Sequence, residues 1–308
     1  MEKKKARIIE KTLELQMADG KLVSCAYLSV EQPKYVMIFL QGFGGEASQY
    51  RRLFYSLLQT TPIAIYCMNL RGGEDENKHV FHIEDPQTLS NDMEHLHAYA
   101  KSTHPNIPLY VCAHSGGSGL ALKLVTSRAG ANIAGLFLLE PVFAGDMEID
   151  YEHSAWLYKF VHYLFQQKNV NALVRPEVQT KWMYKFSIIK YVLSLLHSFF
   201  NRFVSLKVRA DEKSEWNYYT GNYIKGYSLN YSNFELKNRL RQVHCPLWIA
   251  GSEDDEYTYL EGLISIVNWH VAPNNIRDIK SFKGISHFGT LNVASSLIAR
   301  WLKLEKTS

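Results

Sequence analysis

Apolar positions in this chain follow two periods, and the switching between them outlines the architecture. Two β-rich runs, Ile8 to Gln16 and Lys21 to Val30, flank Asp19-Gly20, a pair suited to a tight hairpin turn. Tyr35-Val-Met-Ile-Phe-Leu40 is then apolar without a break, as a strand buried on both faces should be. Similar runs recur at Pro62–Met68, Pro108–Ala113, Ile133–Glu140 and Pro246–Ala250, with a last strand near Ile279–Phe282. Helical periodicity fills the gaps at about Ser48–Gln59, Gln87–Ser102, from the turn His114–Gly117 to about Arg128, Tyr259–Trp269 and Leu291–Leu304. Strand and helix alternating in this way predict an α/β fold: a mostly parallel central sheet flanked by helices.

The alternation stops between Pro141 and Val243. That stretch reads as helical and aromatic, without a convincing buried strand, so residues 1–140 and 244–308 are expected to form one core and 141–243 an inserted helical cap. Within it Trp182, Phe186, Ile189, Leu193, Leu196, Phe200 and Phe203 fall at helical spacing. Val178–Ala210 contains no acid but six lysines and arginines. A basic amphipathic segment of this kind either packs its apolar stripe on the core or rests on an anionic membrane, and peripheral membrane contact is one expectation.

Composition narrows the class only modestly. An apolar share of 46% and a charged share of 21% are those of a globular protein. A net charge of +4 does not argue for nucleic acid as a partner. The basic start, Met1-Glu-Lys-Lys-Lys, leads into no apolar secretory region, and charges interrupt the longest apolar stretch, so the expected location is cytoplasmic. Cys25, Cys67, Cys112 and Cys245 match no metal or disulfide spacing and are expected to be buried thiols; no metal or cofactor is expected.

The residues that bear chemistry lie where strands end. Ala113-His114-Ser115-Gly116-Gly117 joins an apolar strand to a helix through small residues. A nucleophile elbow needs that composition because strand and helix pack closely around a strained turn. Ser115 is then the candidate nucleophile, and the Gly116 N–H at the helix start is placed to stabilise an oxyanion. Downstream, the strand 246–250 runs into Gly251-Ser-Glu-Asp-Asp-Glu256, where Asp254 is the chosen acid and Asp255 the alternative. His287 follows the last strand, completing the chain order Ser, acid, His.

Four segments, Gln41-Gly-Phe-Gly-Gly45, Asn69-Leu-Arg-Gly72, Ala113–Gly117 and Gly251–Asp254 with Ser286-His287, resemble the monoacylglycerol lipase and lysophospholipase branch of the α/β-hydrolases, which also holds related aminopeptidases. The resemblance implies an α/β-hydrolase fold, a second oxyanion-hole donor at the Phe43 N–H, and substrate contacts from Gln41, Gly42 and His114. Gln41 departs from the histidine usual in that loop, and Asn69 from a common aspartate. The expected reaction is hydrolysis of acyl esters of hydrophobic, lipid-like substrates, with thioesters and amides sharing the same intermediate.

Two other readings compete. Gly42-Phe-Gly44-Gly-Glu-Ala47 loosely fits a dinucleotide fingerprint, with Arg71 as the group for a 2′-phosphate, but the preceding strand is not the first one. A hydrolase-like protein that binds a ligand without turning it over is the other, since fold alone does not fix function.

Overall fold

The computed structural model describes residues 7–73, 80–143, 184–186, 204–208, 217–227, 233–255 and 257–304. Its strands are β1 (Ile8–Gln16), β2 (Leu22–Val30), β3 (Tyr35–Leu40), β4 (Ile63–Met68), β5 (Val80–Phe81) and β6 (Leu109–His114). They continue with β7 (Gly135–Leu139), β8 (Tyr184–Phe186), β9 (Val204–Val208), β10 (Asn217–Thr220), β11 (Leu247–Ser252) and β12 (Ile276–Phe282). The helices are α1 (Arg51–Thr60), α2 (Gln87–Thr103), α3 (Gly117–Val125), α4 (Gly221–Tyr227), α5 (Asn233–Gln242), α6 (Leu260–His270) and α7 (Leu291–Leu304).

Eight strands form the main sheet in the order β1-β2-β4-β3-β6-β7-β11-β12. The β1–β2 hairpin and the β2–β4 pairing are antiparallel, and every pairing from β4 to β12 is parallel. Gly20 closes the hairpin with φ +83°, a conformation open to glycine at no steric cost. The unbroken apolar runs follow from burial on both faces. Val36, Ile38 and Leu40 of β3 enter one core with α2, α3 and α6, while Tyr35, Met37 and Phe39 enter the other with α1 and α7. All four cysteines are buried and unpaired, as the spacing predicts.

The region 141–243 differs from the reading of it as helical. Its described residues include β8, β9 and β10, which join β5 in a second sheet of order β5-β10-β9-β8. Phe186, placed on a helical stripe by its spacing, stands in β8. Val204-Ser-Leu-Lys-Val208 alternates apolar and polar residues, a period-2 signal hidden by the long helical pattern before it. Most of the basic aromatic stretch, and with it the expected membrane-facing surface, lies outside the described residues. Residues nearer the C-terminal end of the region pack on the main core: Tyr219, Tyr223, Ile224, Tyr227, Leu236 and Leu240 are all buried there. Among the described residues no helix is long and apolar enough to cross a membrane.

Arg71 does not face a nucleotide site. Its Nη2 and Nε bond the two carboxylate oxygens of Asp92 at 2.5 and 2.7 Å, and its Nη1 bonds Asp19 beside the hairpin turn. Arg71 and Asp92 are both buried, so removing one charge strands the other in a poorly solvated place. Arg71→Ala is therefore expected to destabilise the fold by about 3–5 kcal/mol, read as a lowered urea midpoint with an unchanged slope.

Candidate active site

The turn after β6 is strained in the way a raised nucleophile requires. Ser115 has φ +54°, a left-handed conformation that non-glycine residues rarely adopt. Backbone hydrogen bonds hold it there: Ser115 N–H donates to Leu139 O at 2.9 Å, and Val142 N–H donates to Ser115 O at 3.1 Å. The serine stays partly exposed although both neighbours are buried. Close packing explains the glycines that follow. A Cβ on Gly117 would lie 2.5 Å from Gln41 O and 2.7 Å from Leu40 O, and one on Gly116 would meet the Phe43 ring at 2.3 Å.

The loop after β3 closes over this turn. A Cβ on Gly42 would sit 3.0 Å from Ser115 Cβ and 3.5 Å from Ser115 Oγ, so Gly42 borders the Ser115 side chain directly. Among the described residues neither the Phe43 N–H nor the Gly116 N–H has an acceptor. Two amides beside one serine are the elements of an oxyanion hole. Tyr50 fixes the loop from beneath: the Gly42 N–H donates to its hydroxyl at 2.9 Å, and that hydroxyl lies 3.0 Å from His114 Nδ1.

Gln41 and His114 are buried and take their partners within the fold. Gln41 is buried, donates through Nε2 to Met68 O at 2.9 Å and accepts weakly from the Cys67 thiol. His114 is fully buried, and burial first, then the nearby His287, pushes its pKa down to about 3. It is therefore neutral, and its Nδ1 shares a hydrogen bond with the Tyr50 hydroxyl. The resemblance makes both candidates for substrate contact; in the structure their side chains brace the turn after β4 and, through Tyr50, the loop after β3.

The acid beside His287 is Asp255, not Asp254. His287 Nδ1 lies 2.7 Å from Asp255 Oδ2, with both residues buried. Asp255 Oδ1 accepts the Tyr257 and Thr258 N–H groups at 2.6 and 3.1 Å. Burial opposes the charge on Asp255, but the His287 charge and the hydrogen bonds from His287, Glu140 and Tyr257 outweigh it and hold the carboxyl below its ordinary range. Asp254 turns outward and accepts the Gly284 N–H at 2.7 Å, which anchors the loop carrying His287. Neighbouring residues after a strand face opposite ways, and here the second acid is the one aimed inward. The rings of Tyr257, His114 and Phe288 surround His287 with centroids 4.6, 5.1 and 5.3 Å away.

One site residue was not singled out by sequence reasoning. Glu140, at the end of β7, is buried against Asp255 in a left-handed conformation with φ +44°. Its Oε2 accepts the Ser252 N–H at 3.0 Å, and Thr290 donates to its Oε1. Donor atoms of Glu140, Asp255 and His287 all lie within 4.8 Å of one another. An acid at the end of the strand next to the nucleophile strand was the available signal.

A sequence model for the family described as "Serine aminopeptidase, S33" matches residues 31–190. The chain belongs to that family. It is a serine hydrolase of the α/β-hydrolase fold. No curated protein sequence matches it. Solved structures share the fold at low identity. A soluble variant of monoglyceride lipase from Saccharomyces cerevisiae, in complex with a substrate analog, aligns over 98% of this chain and 95% of its own, with TM-score 0.63 and 16% identity. A thermostable carboxyl esterase from Bacillus coagulans, in complex with glycerol, aligns over 96% and 98%, with TM-score 0.60 and 14% identity. Est1E from Butyrivibrio proteoclasticus aligns over 97% and 99%, with TM-score 0.58 and 12% identity.

In this S33 chain an aromatic wall rises beside the loop after β3. Phe43 packs on Tyr219 and Tyr227 with centroids 5.2 and 4.4 Å apart, and Phe81 and Tyr223 extend the stack. Tyr227 donates to Gln41 O, and Lys123 of α3 donates to the Lys225 and Gly226 carbonyls at the end of α4, at 2.5 and 2.9 Å. Burial pushes Lys123 down to about 8. Because the atoms facing Gly117 are backbone, Gly117→Ala should destabilise the protein by about 1–3 kcal/mol. Gly116→Ala, which meets the side-chain rings of Phe43 and Tyr227 and not backbone, should lose less in the same thermal melts.

Proposed function

We propose that this protein is a serine carboxylic ester hydrolase acting on hydrophobic acyl esters through Ser115, His287 and Asp255. The observation that carries the reading is the 2.7 Å contact of buried Asp255 with His287 Nδ1, at the sheet edge where Ser115 stands in its left-handed turn. With Nδ1 held by the carboxylate, His287 presents Nε2 to accept the Ser115 proton as Oγ attacks the acyl carbon. The developing oxyanion takes the Phe43 and Gly116 N–H groups, and the acyl-enzyme is then hydrolysed by water activated at the same histidine.

Substrate class is drawn from the walls of the site. Partly exposed Phe43, backed by the buried rings of Tyr219 and Tyr227, and half-exposed Phe288 offer apolar surface near the oxyanion loop and His287. Such surface favours an acyl chain over a charged group. The monoglyceride lipase and carboxyl esterase that share the fold are consistent with this choice.

A fluorophosphonate probe should label the wild type at Ser115, and Ser115→Ala should not label; a folded wild type that resists the probe would favour a ligand-binding protein without turnover. Asp255→Asn should lower kcat by about 10⁴-fold, while Asp254→Asn loses far less. Across p-nitrophenyl esters, kcat/KM is expected to rise from acetate towards octanoate. A steady fall from acetate to decanoate would contradict the acyl-chain reading.

A further inference from the structure

Two carboxyl groups meet behind His287, and their surroundings leave room for only one negative charge. Asp255 accepts from His287 through Oδ2 and from two backbone amides through Oδ1, a set of donors that suits a carboxylate. Glu140 lies against it with the Ser252 amide and the Thr290 hydroxyl on its two oxygens. The titratable groups facing Glu140 are Asp255 on the loop after β11 and, beyond it, His287 before α7, with Tyr257 and His114 packed on the far sides of that ring. Among the described residues no lysine or arginine pairs with Glu140. Two buried carboxyl groups with oxygens within 4.8 Å of each other, and no lysine or arginine among the described residues paired with Glu140, strongly disfavour ionisation of both.

We propose that Glu140 is kept as the neutral acid and donates its proton to Asp255, acting as a positioning residue that orients the Asp255 carboxylate on His287. The proposal rests on the reading of Ser115, His287 and Asp255 as the hydrolytic machinery. Burial, and then the neighbouring Asp255, push the Glu140 carboxyl up to about 9, in keeping with that geometry. Glu140 thereby lends Asp255 a donor without adding charge beside the histidine. It also ties β7, next to the nucleophile strand, to the loop after β11 and, through Thr290, to the start of α7.

The sign of the pH dependence follows. An acid whose folded pKa is raised from 4.5 to about 9 keeps its proton in the folded state over a range where the unfolded chain gives it up. Relative to Glu140→Gln, the wild-type folding equilibrium constant should therefore fall by up to about tenfold per pH unit between about pH 5 and pH 9. A ratio constant over that range would mean that Glu140 is ionised and would overturn the proposal. Infrared spectra of the wild type alone give a second reading should the variant fold poorly: a protonated-acid carbonyl band is expected near neutral pH and lost above about pH 9, and its absence at neutral pH overturns the proposal equally.

The positioning role is read from the pH profile of fluorophosphonate labelling. Glu140→Gln, whose amide can still donate to Asp255, should label near neutral pH and hold its rate at alkaline pH, where the wild type declines as Glu140 ionises. An alkaline limb identical in both proteins would refute the role. No labelling of the wild type would count against the hydrolytic reading alone, since the denaturation ratio decides the place of the proton without any turnover.

Discussion

The active edge of this molecule hangs on one close approach, the packing of the β6–α3 turn against the end of β3. Gly117 has no Cβ because the Leu40 and Gln41 carbonyls occupy that space. The contact lets α3 start immediately after a residue in left-handed backbone, which lifts Ser115 out of the sheet. It also brings Gly42 against the serine, so that the loop after β3 and the Ser115 side chain share one small volume. A looser turn would relieve about 1–3 kcal/mol of backbone strain at Ser115 and would lose that convergence.

Charge is arranged as economically as backbone. Asp254 and Asp255 are adjacent in sequence yet act on different partners, one on a backbone amide of the His287 loop and one on the His287 ring. Glu140 approaches the second from the neighbouring strand end and accepts from the Ser252 amide and the Thr290 hydroxyl. Three acids at the ends of β7 and β11 therefore take different partners, and only Asp255 contacts the imidazole itself.

Much of this was legible in the sequence where a local rule had a single outcome. Unbroken apolar runs gave β3, β6 and β11 because a strand covered on both faces admits little else. Small residues around Ser115 marked the elbow, since only they clear β3. Other features turned on facts that a linear pattern does not carry. Choosing Asp255 over Asp254 depends on which way a loop residue faces after its strand ends. Gln41 and His114 were drawn to the substrate by their positions, yet Met68 O and the Tyr50 hydroxyl were better partners within the core. In the inserted region the helical spacing up to Phe203 masked a two-residue alternation that pairs with β10. Glu140 looked like the end of a strand because its partners, Thr290 and Asp255, lie more than a hundred residues away.

The grip of Lys123 on the last carbonyls of α4, and of Tyr227 on Gln41 O, carries a consequence for how such a protein can be rebuilt. Although α4 comes after the inserted stretch in the chain, its fastenings run to the elbow helix and the oxyanion loop. The seam for exchanging lobes between relatives therefore falls ahead of Asn217, and a transplant cut at Val243 would carry away a wall of the site that receives it.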